Sequence, residues 1–274
     1  MIKKIAIQGI KGSFHDQVVR EYYTGSNELV ECLSFDALAQ AVAKGACDQA
    51  VMAIENSIAG SILPNYALLD QYELVISGEH YLSIRHNLMA LPGQKIENIK
   101  EVYSHPMALL QCKNFFHAYP HIKLVESNDT AEEALKISKN KIKARGAIGG
   151  KTAAEIYGLD ILSPSIQTIK NNITRFVIVQ KEKVKQSNKI SKAAWKFVLD
   201  HKRGSLATAL NVVSDCNLNL TKIQSLPVIE TPGKYAFFVD VTFEEPKDYF
   251  KAKSLLEIMA TSFKVLGEYA SRKQ

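Results

Sequence analysis

Nowhere in the 274 residues does an apolar run reach the roughly 18 residues that a membrane-spanning helix needs, which excludes a helical membrane protein and any membrane partner read from such a span. Cysteine is scarce. Cys32, Cys47, Cys112 and Cys216 are scattered with no C-x-x-C pair, so neither a zinc knuckle nor a disulfide framework is indicated and reduced thiols are expected. The N-terminal Met1-Ile2-Lys3-Lys4-Ile5-Ala6-Ile7 carries two lysines, but its apolar stretch is short and ends at Gly9 without a small-residue cleavage site. It reads as a strand, not as an export signal, and a cytoplasmic location is expected. Aromatic residues are missing from the densest basic stretch, Lys136 to Lys151, where Lys139, Lys141, Lys143 and Arg145 cluster. Without a stacking platform this stretch reads as a solvated surface, and no nucleic-acid partner is expected. There is no internal repeat and no low-complexity tract.

What is present is ordinary globular composition, 46% hydrophobic and 23% charged, in a chain long enough for about two domains at ~150 residues each. The 34 lysines and arginines against 28 acids leave a formal charge of +6, compatible with anionic small molecules without requiring them. From Ile2 to Ile54 short apolar runs (Ile5–Ile7, Leu29–Leu33, Ala50–Ile54) alternate with helix-period segments, which predicts a parallel sheet covered on both faces. A second α/β set follows between Glu101 and Tyr157. The strand-rich segment Glu73 to Ala90 serves as a crossover, and a late strand near Thr174–Val179 returns to the first lobe. Two lobes so joined leave a cleft for a small molecule. The polar run Lys181 to Lys189 reads as a linker, and the order of elements after it, βαββαβ, is the ferredoxin-like arrangement.

Four segments carry polar groups at strand ends, where ligands of open α/β folds bind. Gly9-Ile10-Lys11-Gly12-Ser13-Phe14-His15 joins the first strand to the first helix, either as a structural turn or as a loop whose N–H groups hold a carboxylate. Its glycine spacing fits neither the dinucleotide fingerprint nor a Walker loop. Ile54-Glu55-Asn56-Ser57-Ile58-Ala59-Gly60-Ser61 crowds a carboxylate, an amide and two hydroxyls around a glycine; it is a ligand loop or a helix cap with Glu55 in a surface pair. Ser104-His105-Pro106, followed by Gln111-Cys112, opens a helix in the second lobe, and His105 has no metal-ligand partner at helical spacing. In Asn171-Asn172-Ile173-Thr174-Arg175-Phe176, Arg175 offers a bidentate fork for a carboxylate, and Thr174 is an ordinary strand residue unless something polarises its hydroxyl.

Taken in this order, the four segments and the ferredoxin-like tail resemble the prephenate dehydratase family over essentially the whole chain. The family's glycine-rich first turn, its Pro-Ile-Glu-Asn-Ser-x-x-Gly, its Ser-His-Pro block with Gln-Cys, and its Thr-Arg-Phe match Gly9–Phe14, Ala53–Gly60, Ser104–Cys112 and Thr174–Phe176. The C-terminal part is similar to an ACT regulatory domain through Gly204-Ser205-Leu206-Ala207 and Asn217–Ile223. The Glu-Ser-Arg-Pro that follows in relatives stands here as Gln224-Ser225-Leu226-Pro227, which puts ordinary phenylalanine feedback in doubt.

The resemblance implies a bilobal, periplasmic-binding-protein-like α/β domain over residues 1–180, with lobe one about 1–78 plus 165–180 and lobe two about 79–164. A linker at 181–192 and an ACT domain at 193–274 complete the chain. With a strand starting at Met1, a monofunctional enzyme without a chorismate mutase domain is expected. The implied reaction expels the C4 hydroxyl of prephenate as water and its ring carboxylate as carbon dioxide, giving phenylpyruvate on the route to phenylalanine, with no metal and no cofactor. Thr174 is the expected hydroxyl at the C4 oxygen, alone or as relay from Glu55, with Asn56, Ser104 and Gln111 orienting substrate. Gly12, Ser13, Ser57, Gly60, His105, Arg175 and Phe176 are expected to bind it. Gly204, Ser205, Leu206, Asn219 and Leu220 are expected to hold an L-phenylalanine effector in a homodimer or homotetramer. The competing readings are the same chemistry on arogenate, a solute-binding module with an amino-acid sensor, and a non-catalytic regulatory paralogue.

Overall fold

The computed structural model describes residues 2–182, 190–228, 231 and 233–272. Along the chain the elements are β1 (Lys3–Gln8), α1 (Phe14–Tyr22), β2 (Asn27–Cys32), α2 (Phe35–Ala43), β3 (Gln49–Asn56), β4 (Gly60–Ser61) and α3 (Leu63–Gln71). There follow β5 (Val75–Ser83), β6 (Asn87–Ala90), β7 (Glu101–Ser104), α4 (Pro106–Phe116), β8 (Lys123–Glu126), α5 (Thr130–Asn140), β9 (Arg145–Gly149), α6 (Lys151–Tyr157), β10 (Asp160–Ser163) and β11 (Ile173–Gln180). The last six are β12 (Lys192–Val198), α7 (Ser205–Asp215), β13 (Asn219–Pro227), β14 (Tyr235–Thr242), α8 (Pro246–Met259) and β15 (Ser262–Tyr269). They form two compact units, one of residues 1–62 and 81–176, the other of 63–80 and 177–274.

In the first unit, β1 lies between β2 and β3 with both pairings parallel, as the alternation of strands and helices predicts. Each of the first two helices starts where a serine caps it. Ser13 Oγ accepts the Asp16 N–H, and Ser34 Oγ accepts that of Ala37, the usual way to satisfy a free N-terminal donor. The second lobe of this unit is a sheet in the order β10-β6-β9-β7-β8. Its core packs Leu88, Val102, Leu109, Cys112 and Ile148 between strands and α4. At the loop end, β3 turns back on itself into β4, pairing Glu55 with Ser61 and Asn56 with Gly60. The turn needs the left-handed Gly60, φ +82°.

The second unit has β13-β14-β12-β15 as its strand order with antiparallel pairings, so that the chain order βαββαβ folds as the ferredoxin-like expectation requires. Its core stacks Trp195 on Tyr249 and Tyr249 on Phe243. Of the expected linker 181–192, residues 183–189 lie outside the described residues, and Lys192 already opens β12. The sequence reading gives no bounds for the short helix α3, which enters there only as the helix that the Ile54–Ser61 segment would cap. It belongs to this unit, where Tyr66 packs against Phe238 and Asp70 pairs with Lys196 and Lys264. Residues 63–78 and 177–180, placed by expectation in lobe one, and 79–80, placed in lobe two, therefore belong to the second unit.

Lys192 and Glu79 are nearly or wholly removed from solvent and meet at 2.7 Å, and the other Glu79 oxygen accepts from Ser271 Oγ and the Arg272 N–H. Such a pair adds little over an apolar pair of the same shape but is expensive to break from one side. Glu79→Ala is expected to lower unfolding stability by about 3–5 kcal/mol in denaturant titration, and Glu79→Leu with Lys192→Met to recover most of it; a loss under about 1 kcal/mol in the single variant contradicts this reading. The four cysteines are free and buried, and burial pushes the Cys112 thiol up to about 12. Ellman's reagent is accordingly expected to titrate four thiols only after denaturation, and fast labelling of Cys112 in the native protein would contradict this.

Candidate functional site

Between the two lobes of the first unit lies a cavity of about 340 Å³, at the small end of the range for ligand sites. Thr174 and Phe176 reach it from β11, Ala53 and Asn56 from the end of β3, Ser13 and His15 from the start of α1, and Ala108 and Gln111 from one face of α4. The last pair is spaced i, i+3, as one helical face requires.

Asn56 fixes the hydrogen-bond directions. Its Oδ1 accepts the N–H groups of Ile58 and Ala59, each at 2.9 Å, in the β3–β4 turn. The amide nitrogen must therefore face the other way. It donates to Thr174 Oγ1 at 2.8 Å and to Asn172 Oδ1 at 2.7 Å. With its oxygen so engaged, Asn172 turns its own nitrogen to Gln111 Oε1 at 2.9 Å. Gln111 Oε1 also lies 3.0 Å from His86 Nε2; since it only accepts, His86 carries its proton on Nε2. Burial lowers the His86 pKa to about 4 and that of His15 to about 3, so both imidazoles stay neutral near pH 7. Thr174 is nearly buried, at 8% exposure. Its oxygen accepts the Asn56 hydrogen bond, and no acceptor among the described residues takes the hydroxyl proton.

The expected residues divide. Thr174, Asn56, Gln111, Ser13, His105 and Phe176 line the cavity. Arg175 does not: successive strand residues face opposite sides, so with Thr174 and Phe176 turned inward Arg175 turns away, buried and 3.7 Å from the half-exposed Glu55. The expected carboxylate anchor and relay acid are thus paired with each other outside the lining. Ser104 is wholly buried and donates to the Ile148 carbonyl at 2.8 Å, which commits its hydroxyl to the sheet. Ser57 Oγ accepts the Ile173 N–H at 2.9 Å and lies outside the lining, as does Gly60. Gly12 donates its N–H to Asp16 and has φ +92°, with Ala153 where a side chain would go; it shapes the turn. His105 caps α4, its Nδ1 accepting the Met107 N–H. In the second unit, Gly204, Ser205 and Leu206 stand at the start of α7 and Asn219 and Leu220 beyond its end, with the 11-residue helix, about 16 Å long at 1.5 Å per residue, between them. One chain does not bring the expected effector residues together.

Sequence reasoning passed over Asn172, His86 and Asp129. Asn172 lies two residues from Thr174 in the Asn171–Phe176 segment, and Asp129 follows β8 as the cap of α5, a strand-end position of the same kind as the segments above. His86 had no such signal. Among the described residues no group of three or more His, Cys, Asp or Glu could hold a metal ion, and no helix is long and apolar enough to cross a membrane.

Residues 5–184 match the family model described as prephenate dehydratase. Arogenate dehydratase 2 of Petunia hybrida is 37% identical over 98% of this chain and 72% of its own length. Among solved structures, the protein GqqA, described as a novel type of quorum-quenching acylase, superposes with a TM-score of 0.89 at 27% identity, covering 98% of this chain and 99% of its own. The prephenate dehydratase of Staphylococcus aureus superposes with a TM-score of 0.84 at 26% identity over 97% and 99% of the two chains. On the extent of the family match and the identity to the Petunia enzyme, the chain belongs to the prephenate dehydratase and arogenate dehydratase family, lyases of aromatic amino acid biosynthesis.

Proposed function

We propose that the protein aromatises a cyclohexadienol carboxylate by decarboxylating dehydration, acting on arogenate or on prephenate, and that Thr174 is the hydrogen-bond donor to the departing C4 oxygen. The observation that carries this reading is the direction of the Asn56–Thr174 bond. A hydroxyl has one proton to give; with Asn56 donating to its oxygen, Thr174 has that proton free for a ligand, and the donated bond steadies the oxygen as the proton is shared. The C4–O bond breaks as the ring carboxylate's C–C bond supplies its electron pair to the forming aromatic ring. One proton is taken up, and water and carbon dioxide leave. For prephenate the product is phenylpyruvate and for arogenate it is phenylalanine. A threonine hydroxyl is a poor acid, so its part is electrostatic stabilisation of the charge growing on the leaving oxygen, with the net proton drawn from solvent.

Gln111 shares the amide relay, and its nitrogen remains available to orient the ring. Among the described residues no lysine or arginine lines the cavity. A ring carboxylate held without a salt bridge is less stabilised before it leaves, and Phe14, Phe35, Ile62 and Ile84 give it an apolar setting. The acylase activity described for GqqA shows that this fold serves more than one reaction. Acyl transfer calls for a nucleophile activated by a base, whereas Thr174 is held by an amide. Residues 1–62 and 81–176, which hold the cavity, form the catalytic part in this reading, rather than the whole of 1–180. Residues 193–274 act as an ACT-like regulatory part that pairs with a second copy, which also supplies the effector half-site that one chain lacks.

Purified protein is expected to release carbon dioxide and an aromatic product from arogenate, prephenate or both; folded protein that turns over neither refutes the reading. Thr174→Ala is expected to lower kcat by about 10² to 10⁴, with Thr174→Ser retaining most of the activity and both variants melting within a few degrees of the parent. Equal activity in the alanine variant removes Thr174 from the reaction.

A further inference from the structure

Among the described residues lining the cavity, Asp129 is the sole aspartate, glutamate, lysine or arginine. It caps α5, and the cap uses only one of its oxygens: Oδ1 accepts the N–H groups of Ala131 at 2.7 Å and Glu132 at 2.9 Å. Oδ2 is directed at Gly9, close enough that a side chain there would put its Cβ 2.8 Å away. Gly9 sits at φ +88°, and the side chain it lacks is what lets that oxygen lie so close. Burial pushes the Asp129 carboxyl above its ordinary value, opposed by the two backbone N–H groups and His105 and reinforced by Glu132. A half-buried carboxylate with an oxygen unused by the protein is costly, and a cationic ligand group would offset that cost.

The two candidate substrates share the ring, the C4 hydroxyl and both carboxylates. They differ at one position of the side chain, an ammonium in arogenate and a ketone oxygen in prephenate. Near neutral pH the first carries a net charge of about −1 and the second about −2, from the ordinary ionisation of carboxylates and amines. The other polar lining groups offer no net negative charge: His15 and His86 are neutral, and Asn56 and Gln111 are amides. Resting on the dehydratase reading above, we propose that Asp129 Oδ2 receives the ammonium of an α-amino-acid side chain, so that Asp129 is a specificity-determining residue favouring arogenate over prephenate. The preference has an attractive half, an ion-paired hydrogen bond to the ammonium, and a repulsive half, a carboxylate facing the ketone oxygen of a doubly charged competitor.

The test is kcat/KM on arogenate and on prephenate for the parent, Asp129→Asn and Asp129→Ser. Asparagine and serine both remain helix caps, and thermal melting checks that α5 is intact. The expected result for Asp129→Asn is a fall of about 10- to 100-fold on arogenate. On prephenate the value stays equal or rises, because the new amide N–H faces the ketone. A fall of equal size on both substrates assigns Asp129 to capping alone and overturns the inference, as does no change on either. Turnover by the parent with an unaltered substrate ratio in the variants defeats this inference only. A parent that turns over neither substrate defeats the dehydratase reading, and this inference with it.

Discussion

The arrangement of the site depends on which way one amide points. Two backbone N–H groups in the β3–β4 turn hold the Asn56 oxygen, and reversing the amide would leave both donors facing an NH₂ group. A buried donor without a partner costs on the order of 1–3 kcal/mol, so the turn sets the amide and the amide sets Thr174. The same polarity passes through Asn172 to Gln111 and His86, joining the end of β3, the start of β11 and α4 by neutral hydrogen bonds. No charged group takes part. In the dehydratase reading, such a neutral framework orients the substrate without a cation that would hold its ring carboxylate in place.

Glycine serves the same end at Gly9. Its left-handed turn starts the segment capped by Ser13, and its lack of a side chain lets the Asp129 carboxylate lie against it. One helix cap in each lobe therefore meets the same cavity, with Ser13 on the first side and Asp129 on the second. A cap is held in position by the helix it starts, which gives a polar group fixed geometry at little additional entropy cost.

Much of the fold was legible because the signals were local and periodic. The βα alternation of the first lobe and the βαββαβ order of the second unit follow from apolar runs and turn residues. The helix α3 was not, because Leu63–Gln71 contains Pro64 and spreads its apolar residues around the axis, leaving no stripe to read. At the site, Thr174, Asn56, Gln111 and Phe176 could be named from their segments, but so could Arg175, Glu55, Ser57 and Ser104, which the cavity lining leaves out. Strand periodicity distinguishes Thr174 from Arg175 once the inward face is known, and that face is decided by tertiary packing. Ser104 shows the limit differently. A serine at a strand end looks the same in sequence whether its hydroxyl meets a ligand or, as here, the Ile148 carbonyl. His86 enters only through its long-range bond to the Gln111 oxygen, which no local pattern encodes, and Asn172, two residues from Thr174, has its part assigned by long-range bonds from Asn56 and to Gln111.

The most direct test of the Asn56–Thr174 unit is a double-mutant cycle on kcat with Asn56→Ala, Thr174→Ala and the pair, measured on whichever substrate the parent prefers. If the amide acts through the hydroxyl, the double variant loses no more than the worse single variant, because removing Thr174 leaves Asn56 nothing to steady. Losses that multiply in the double variant would show two independent contributions and contradict the account.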